Sequence, residues 1–247
     1  MKYEIGYALS GGFIKGFAHL GALQALLEHD LRPEIISGVS AGALAGVLYA
    51  DGNEPYRILE YFENLKFMNF TKFTIPTSGF FKMDEVIDFL EIHLSTKQLE
   101  KLKIPFVVTA TDIQHGKSVS FRQGNIAQCV AASCCMPMLF KPVTIHEVDY
   151  VDGGVFLNLP VSPIRQECKK VIAVNVSPLH EEPYKRNLIN ITLRTYQYLN
   201  KANMIKDREL SDILIEPKDL HKYSNTELEK AKEIFNCGYQ AANDILK

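Results

Sequence analysis

The sequence predicts an α/β protein whose helices layer around a mostly parallel sheet. Short apolar runs alternate with helical periodicity along the chain, the pattern of strands linked by crossover helices. Two of the runs, PFVVTAT at 105–111 and VIAVNV at 171–176, are apolar with almost no alternation, as strands covered on both faces are. Turns of small residues lead from a run into a helical pattern near 10–16 and 38–42.

Taken in order, Tyr3 to Leu9 reads as a buried strand entering the turn Ser10-Gly11-Gly12. Phe17 to Glu28 carries Leu20, Leu23 and Leu27 at helical spacing. Glu34 to Gly38 is a second short strand, and the Ala- and Leu-rich stretch from Ala41 to Ala50 a buried helix ending before Gly52. Pro55 to Leu65 and Met83 to Leu94 read as helices, with no clean period from Lys66 to Phe81. Pro105 to Thr111 is a strand, and Asp112 to Ser120 a turn between strands with His115-Gly116 at its tip. After the run at 171–176, Asn187 to Asp207 and Thr226 to Leu246 read as helices flanking a strand at Ile213 to Ile215. No repeat or linker interrupts the pattern, so one domain over 1–247 is the expectation.

The 247 residues are 47% hydrophobic, enough for a sizeable core. With 27 Lys and Arg against 29 Asp and Glu, no charge surplus points to nucleic acid or to a strongly anionic membrane surface. The first residues show no charged-then-apolar leader, and no apolar run approaches the ~20 residues of a membrane span. The five cysteines, Cys129, Cys134, Cys135, Cys168 and Cys237, form no Cys-x-x-Cys pair. Reduced thiols in the cytoplasm are the expectation, with Cys134 and Cys135 as small buried hydrophobes. No metal-ligand spacing is present, so neither a metal nor another cofactor is expected.

Gly38-Val39-Ser40-Ala41-Gly42 lies between a strand and a helix. That is the setting of a Gly-x-Ser-x-Gly elbow, in which a sharp turn lifts a serine hydroxyl clear of the sheet. The flanking glycines allow the backbone to double back, and the following helix points its positive end at the site. Ser10-Gly11-Gly12-Phe13-Ile14-Lys15-Gly16 also joins strand to helix. Its small residues let backbone N–H groups converge on one anion, a phosphate or an oxyanion; beside Ser40 the oxyanion is the better fit. It lacks both the Gly-x-Gly-x-x-Gly spacing and the Gly-Lys-Ser/Thr ending of nucleotide loops. The serine also needs a base. Of the seven histidines, His180 and His221 come late enough in the chain for a conventional triad, but neither has a distinctive setting. The other candidate is Asp152, in Tyr150-Val151-Asp152-Gly153-Gly154, where a short strand ends in two glycines.

These motifs, in this order, resemble the patatin-like phospholipase family, above all its small bacterial members. The likeness extends to Ala110-Thr111-Asp112, to Ala132-Ser133-Cys134-Cys135-Met136-Pro137, to Asn158-Leu159-Pro160 and to Gly238-Tyr239-Gln240-Ala241-Ala242. It implies a three-layer α/β/α sandwich and a Ser40–Asp152 dyad without histidine. It also implies hydrolysis of lipid acyl esters without a metal, with N–H groups of Gly11, Gly12 and Phe13 holding the oxyanion. Two positions depart from the family pattern: Phe13 replaces the third glycine of the loop, and Met138 replaces a glycine that often follows the proline.

The expected partners are a lipid or other acyl-ester substrate, with peripheral membrane contact left open. An acyltransferase using the same serine and a lipid-binding pseudoenzyme are the alternatives. Six of the 14 phenylalanines fall between Phe62 and Phe81. Phe70 and Phe73 among them are candidates for lining an acyl-chain groove; the plainer reading is that these rings complete the core.

Overall fold

The computed structural model describes residues 1–64, 83–178, 186–224 and 227–247. The strands are β1 (Tyr3–Leu9), β2 (Ile35–Val39), β3 (Phe106–Asp112), β4 (Lys117–Phe121), β5 (Val143–Ile145), β6 (Val148–Asp152), β7 (Cys168–Val174) and β8 (Ile213–Ile215). The helices are α1 (Phe17–Glu28), α2 (Ala41–Ala50), α3 (Pro55–Asn64), α4 (Asp84–His93), α5 (Ile126–Cys134), α6 (Ser162–Arg165), α7 (Leu188–Leu210) and α8 (Ala231–Leu246).

Among the described residues all eight strands join one sheet in the order β5-β6-β3-β2-β1-β7-β8, with β4 added on β3. The pairs β3-β2, β2-β1, β1-β7 and β7-β8 are parallel, and β3-β4, β3-β6 and β5-β6 antiparallel. The apolar runs explain the layers, because successive side chains point to opposite faces. Tyr7, Leu9, Ile36, Phe106, Val108, Ile172 and Val174 enter one core with α1, α2 and α8. Their neighbours Ala8, Ile35, Val107, Val171 and Ala173 enter a second core with Ile164 of α6 and Met204 of α7. Helices thus cover both faces, and the fold is the expected α/β/α sandwich.

On the first face α1 and α8 run in backbone contact. A Cβ on Gly21 would lie 1.9 Å from the Phe235 carbonyl oxygen, and one on Gly238 1.9 Å from that of Ala18. The Gly238 segment singled out in the sequence is therefore a helix-packing seam.

The register around β3 places one end of the site. β4 pairs with 108–112, overlapping both the 106–109 paired to β2 and the 110–112 paired to β6. A strand has two edges, so β2 and β6 must share the edge opposite β4, end to end. The end of β6 at Asp152 therefore runs into the end of β2, next to Ser40.

Candidate active site

The backbone of Ser40 turns at φ 52° and ψ −121° between β2 and α2, a left-handed conformation that costs a non-glycine residue about 1–2 kcal/mol. The neighbouring glycines make this turn possible. A Cβ on Gly42 would meet the Leu9 carbonyl oxygen at 2.3 Å, and one on Gly38 the Gly42 carbonyl oxygen at 2.7 Å. The Ser40 N–H donates to Ser133 Oγ at 2.8 Å, and that hydroxyl donates to the Thr109 carbonyl at 2.6 Å. Ser133 thus ties the elbow to the end of α5 and to β3. The sequence marked Ser133 only as part of a family landmark; a buried serine before two cysteines does not reveal a brace.

Asp152 is buried at the end of β6. Its N–H donates to the Cys135 carbonyl at 2.8 Å, its own carbonyl accepts from Thr111 Oγ1 at 3.0 Å, and its Oδ1 accepts from the Gly154 N–H at 2.7 Å. Burial raises its pKa to about 6; the Gly154 N–H and the hydroxyls of Ser40 and Tyr196 beside it pull the other way. Burial wins because removing a carboxylate from water outweighs what these three neighbours return. Tyr196 reaches the carboxylate from α7. Its buried hydroxyl has no acceptor in good alignment, and burial, reinforced by the Asp152 charge, pushes its pKa up. The Cys134 thiol also lies against Ser40; burial first, then Asp152, raises its pKa and keeps it neutral.

The loop after β1 is oriented peptide by peptide. The Gly11 carbonyl accepts from the hydroxyls of Ser10 at 3.0 Å and Ser177 at 2.8 Å. In a planar trans peptide the N–H points opposite its carbonyl, so the Gly12 N–H is aimed away from these serines. The Gly12 carbonyl accepts from the Lys15 N–H at 3.1 Å, which fixes the Phe13 N–H in the same manner. Among the described residues neither of these two N–H groups meets an acceptor. The Gly11 N–H, by contrast, donates to the Asn158 carbonyl at 3.2 Å, so of the three expected donors two are free. Beneath the loop, buried His19 contacts the Ser10 carbonyl through Nε2 at 2.8 Å. Burial lowers its pKa to about 4, so it is neutral and donates from Nε2.

Gly11, Gly12, Phe13, Lys15, Ser40 and Asp152 line one pocket, with Asn158, Ser177, Pro178 and four residues of α7, Arg194, Tyr196, Gln197 and Asn200, on its other side. Five of the seven expected site residues are thereby brought together. The other two, Phe70 and Phe73, lie outside the described residues, as does His180. His221, set aside in the sequence, does line this pocket. Its Nδ1 contacts the Lys218 carbonyl oxygen at 2.8 Å, and it is exposed. The signal that it faces the site is its position after β8, visible only once β8 is seen beside β7.

An elbow serine at the end of a parallel strand, with a buried carboxylate at the end of the antiparallel strand that abuts it, places this chain in the elbow class of α/β proteins. Within that class, the model of the patatin-like phospholipase family matches residues 7–164, and the chain belongs to this family. It is 29% identical over 204 residues to an uncharacterized NTE family protein of Mycobacterium bovis, covering 80% of this chain and 55% of that one. It is 26% identical over 251 residues to lysophospholipase NTE1 of Cryptococcus neoformans, covering 96% of this chain and 15% of that protein. The chain thus spans about half the length of its mycobacterial relative. Among solved structures, VipD of Legionella pneumophila aligns with a TM-score of 0.63 at 15% identity, over all of this chain and 67% of that one.

Proposed function

We propose that this chain is a serine acyl hydrolase that cleaves carboxylic esters of lipids through a Ser40–Asp152 dyad. The observation that carries the reading is the buried Asp152 carboxylate, with its pKa raised to about 6, beside the strained elbow serine in one pocket. Family membership and the lysophospholipase among the relatives supply the substrate class.

In the first step the Ser40 hydroxyl proton passes to Asp152 as Ser40 Oγ bonds to the ester carbonyl carbon. The carbonyl oxygen becomes an anion held by the Gly12 and Phe13 N–H groups. Collapse breaks the bond to the leaving alcohol, whose oxygen takes the proton from Asp152, and leaves an acyl ester on Ser40. Water then gives a proton to Asp152 as it attacks this ester; the acid departs, and the proton returns to Ser40 Oγ. A carboxylate at the ordinary ~3.9 is a weak base, and a value near 6 is better matched to the task at neutral pH. The exposed His221 takes no part in these steps.

The test is a panel of esters of increasing chain length with the wild-type chain and the Ser40→Ala, Asp152→Asn and His221→Ala variants. Turnover is expected to disappear with Ser40→Ala, to fall nearly as far with Asp152→Asn, and to change little with His221→Ala. A dead His221→Ala beside an active Asp152→Asn would replace the dyad by a histidine-based mechanism. Wild-type binding of lipid without turnover of any ester would leave the lipid-binding alternative.

A further inference from the structure

The helix that supplies one wall of the pocket carries a second surface. Arg194, Tyr196, Gln197 and Asn200 of α7 line the pocket, and Tyr196, Met204 and Asp207 are buried. On the opposite side of the same helix, Leu188 is 73% exposed, Ile191 46%, Tyr198 53%, Leu199 51% and Ile205 59%. Thr195 and Ala202 are exposed between them. The spacing is helical: at about 100° per residue all seven fall within an arc of roughly 120°. This is the width of a stripe that normally faces a core, yet here it faces outward over five turns. Beside it, Arg194, Lys201 and Arg208 recur every seven residues, which lines them along one flank of the stripe. Arg194 lies over the Tyr198 ring at 5.2 Å to its centre, and Arg208 pairs with Glu216.

We infer that this outer face of α7 is a docking surface for a lipid bilayer containing anionic phospholipid. An apolar stripe with a basic flank on one helix is the chemistry of an interfacial amphipathic helix, which sinks its apolar side to the headgroup boundary and sets its cations among the phosphates. The chain as a whole carries a net charge near −2, so attraction to an anionic surface has to be local to such a flank. The pocket lies on the other side of this one helix, which brings a membrane-embedded ester close to Ser40. Only the choice of a membrane as the partner rests on the lipid-esterase reading above.

The decisive experiment is vesicle co-sedimentation with the full chain carrying Ser40→Ala, so that no lipid is consumed. Vesicles of phosphatidylcholine are compared with vesicles that also contain phosphatidylglycerol. Binding is expected mainly to the anionic vesicles and to weaken with salt. Adding Ile191→Asp and Leu199→Asp should lower it more than tenfold, and Lys201→Glu alone about fivefold. In the wild-type background these substitutions should leave hydrolysis of the soluble ester p-nitrophenyl butyrate intact and depress that of vesicle lipid. Should the paired variant unfold, by circular dichroism, the Lys201→Glu arm decides. Equal binding by all variants overturns the proposal. So does a concentration-dependent dimer in light scattering that the paired variant abolishes, since a second copy then covers the stripe. If the wild type cleaves no soluble ester, the hydrolase reading falls while the binding data still judge the surface.

Discussion

Two residues that depart from the family pattern sit where the backbone keeps the conformation glycine prefers. Phe13 has φ 54° and Met138 φ 75°. The resemblance marked both as replaced glycines, and the structure gives the reason glycine is favoured there: a Cβ crowds the carbonyl at positive φ. Met138 is half exposed and gives up little packing. Met138→Gly is expected to raise unfolding free energy by about 0.5–1 kcal/mol in urea melts, and a loss of stability would show that the side chain matters more than the strain. Phe13→Gly should keep ester turnover, because the donor is the N–H and not the ring. The burial of Asp152 makes a sharper prediction. Its folded pKa, about 6, lies above the unfolded value of 3.8. The folded chain therefore holds a proton that the unfolded chain has released, and stability falls as pH rises between these two values. A shift of this size corresponds to roughly 3 kcal/mol above pH 6. Asp152→Asn still accepts the Gly154 N–H and removes the penalty. It should melt higher than wild type at pH 8, lose that advantage below about pH 4, and be nearly inactive throughout. A variant no more stable than wild type at pH 8 would mean that Asp152 is not held in a desolvated state.

At the scale of elements, most of the parts that build the site were legible. The helical spans read at 17–28 and 41–50 and the strand at 213–215 coincide with α1, α2 and β8. Gly16 before the first, Gly52 after the second, and Asp212 and Glu216 on either side of the third leave little choice of boundary there. The helix read at 187–207 runs on to Leu210, and the strand read at 171–176 begins earlier, at Cys168, where exposed Lys169 and Lys170 hide it. The whole of α5 went unread. Its sequence, IAQCVAASC, is small and buried on nearly every side, so no polar face announces a helix; Asn125, which caps it by accepting the Gln128 N–H at 2.9 Å, was the available signal. With α5 unread, Ser133 could not be recognised as the brace of the elbow. Ser133→Ala leaves the half-buried Ser40 N–H without its acceptor, a cost of about 1 kcal/mol. It is expected to lower kcat for a soluble ester with KM nearly unchanged, because the elbow, not the binding surface, is loosened. An unchanged kcat would show that the elbow holds its shape without this bond.

Across the whole molecule, alternation of faces along fully apolar strands turned a hydrophobic pattern into a sandwich, and this much follows from the period of a strand alone. What composition could not express is the end-to-end placement of β2 and β6 on one edge of β3. Residues more than a hundred positions apart, Ser40 and Asp152, meet because β4 occupies the other edge. The outward stripe of α7 was likewise hidden, since a helical period does not say which face a sheet will cover. Among the described residues no helix is long and apolar enough to cross a membrane. The claim on which everything else depends is that Asp152 activates Ser40. The most direct measurement is the rate at which a fluorophosphonate labels the chain across pH, with the adduct mapped by mass spectrometry. Labelling is expected at Ser40 alone, rising through a pKa near 6 and nearly abolished by Asp152→Asn. An adduct on another residue, or a rate on Ser40 that ignores both pH and Asp152→Asn, would contradict it.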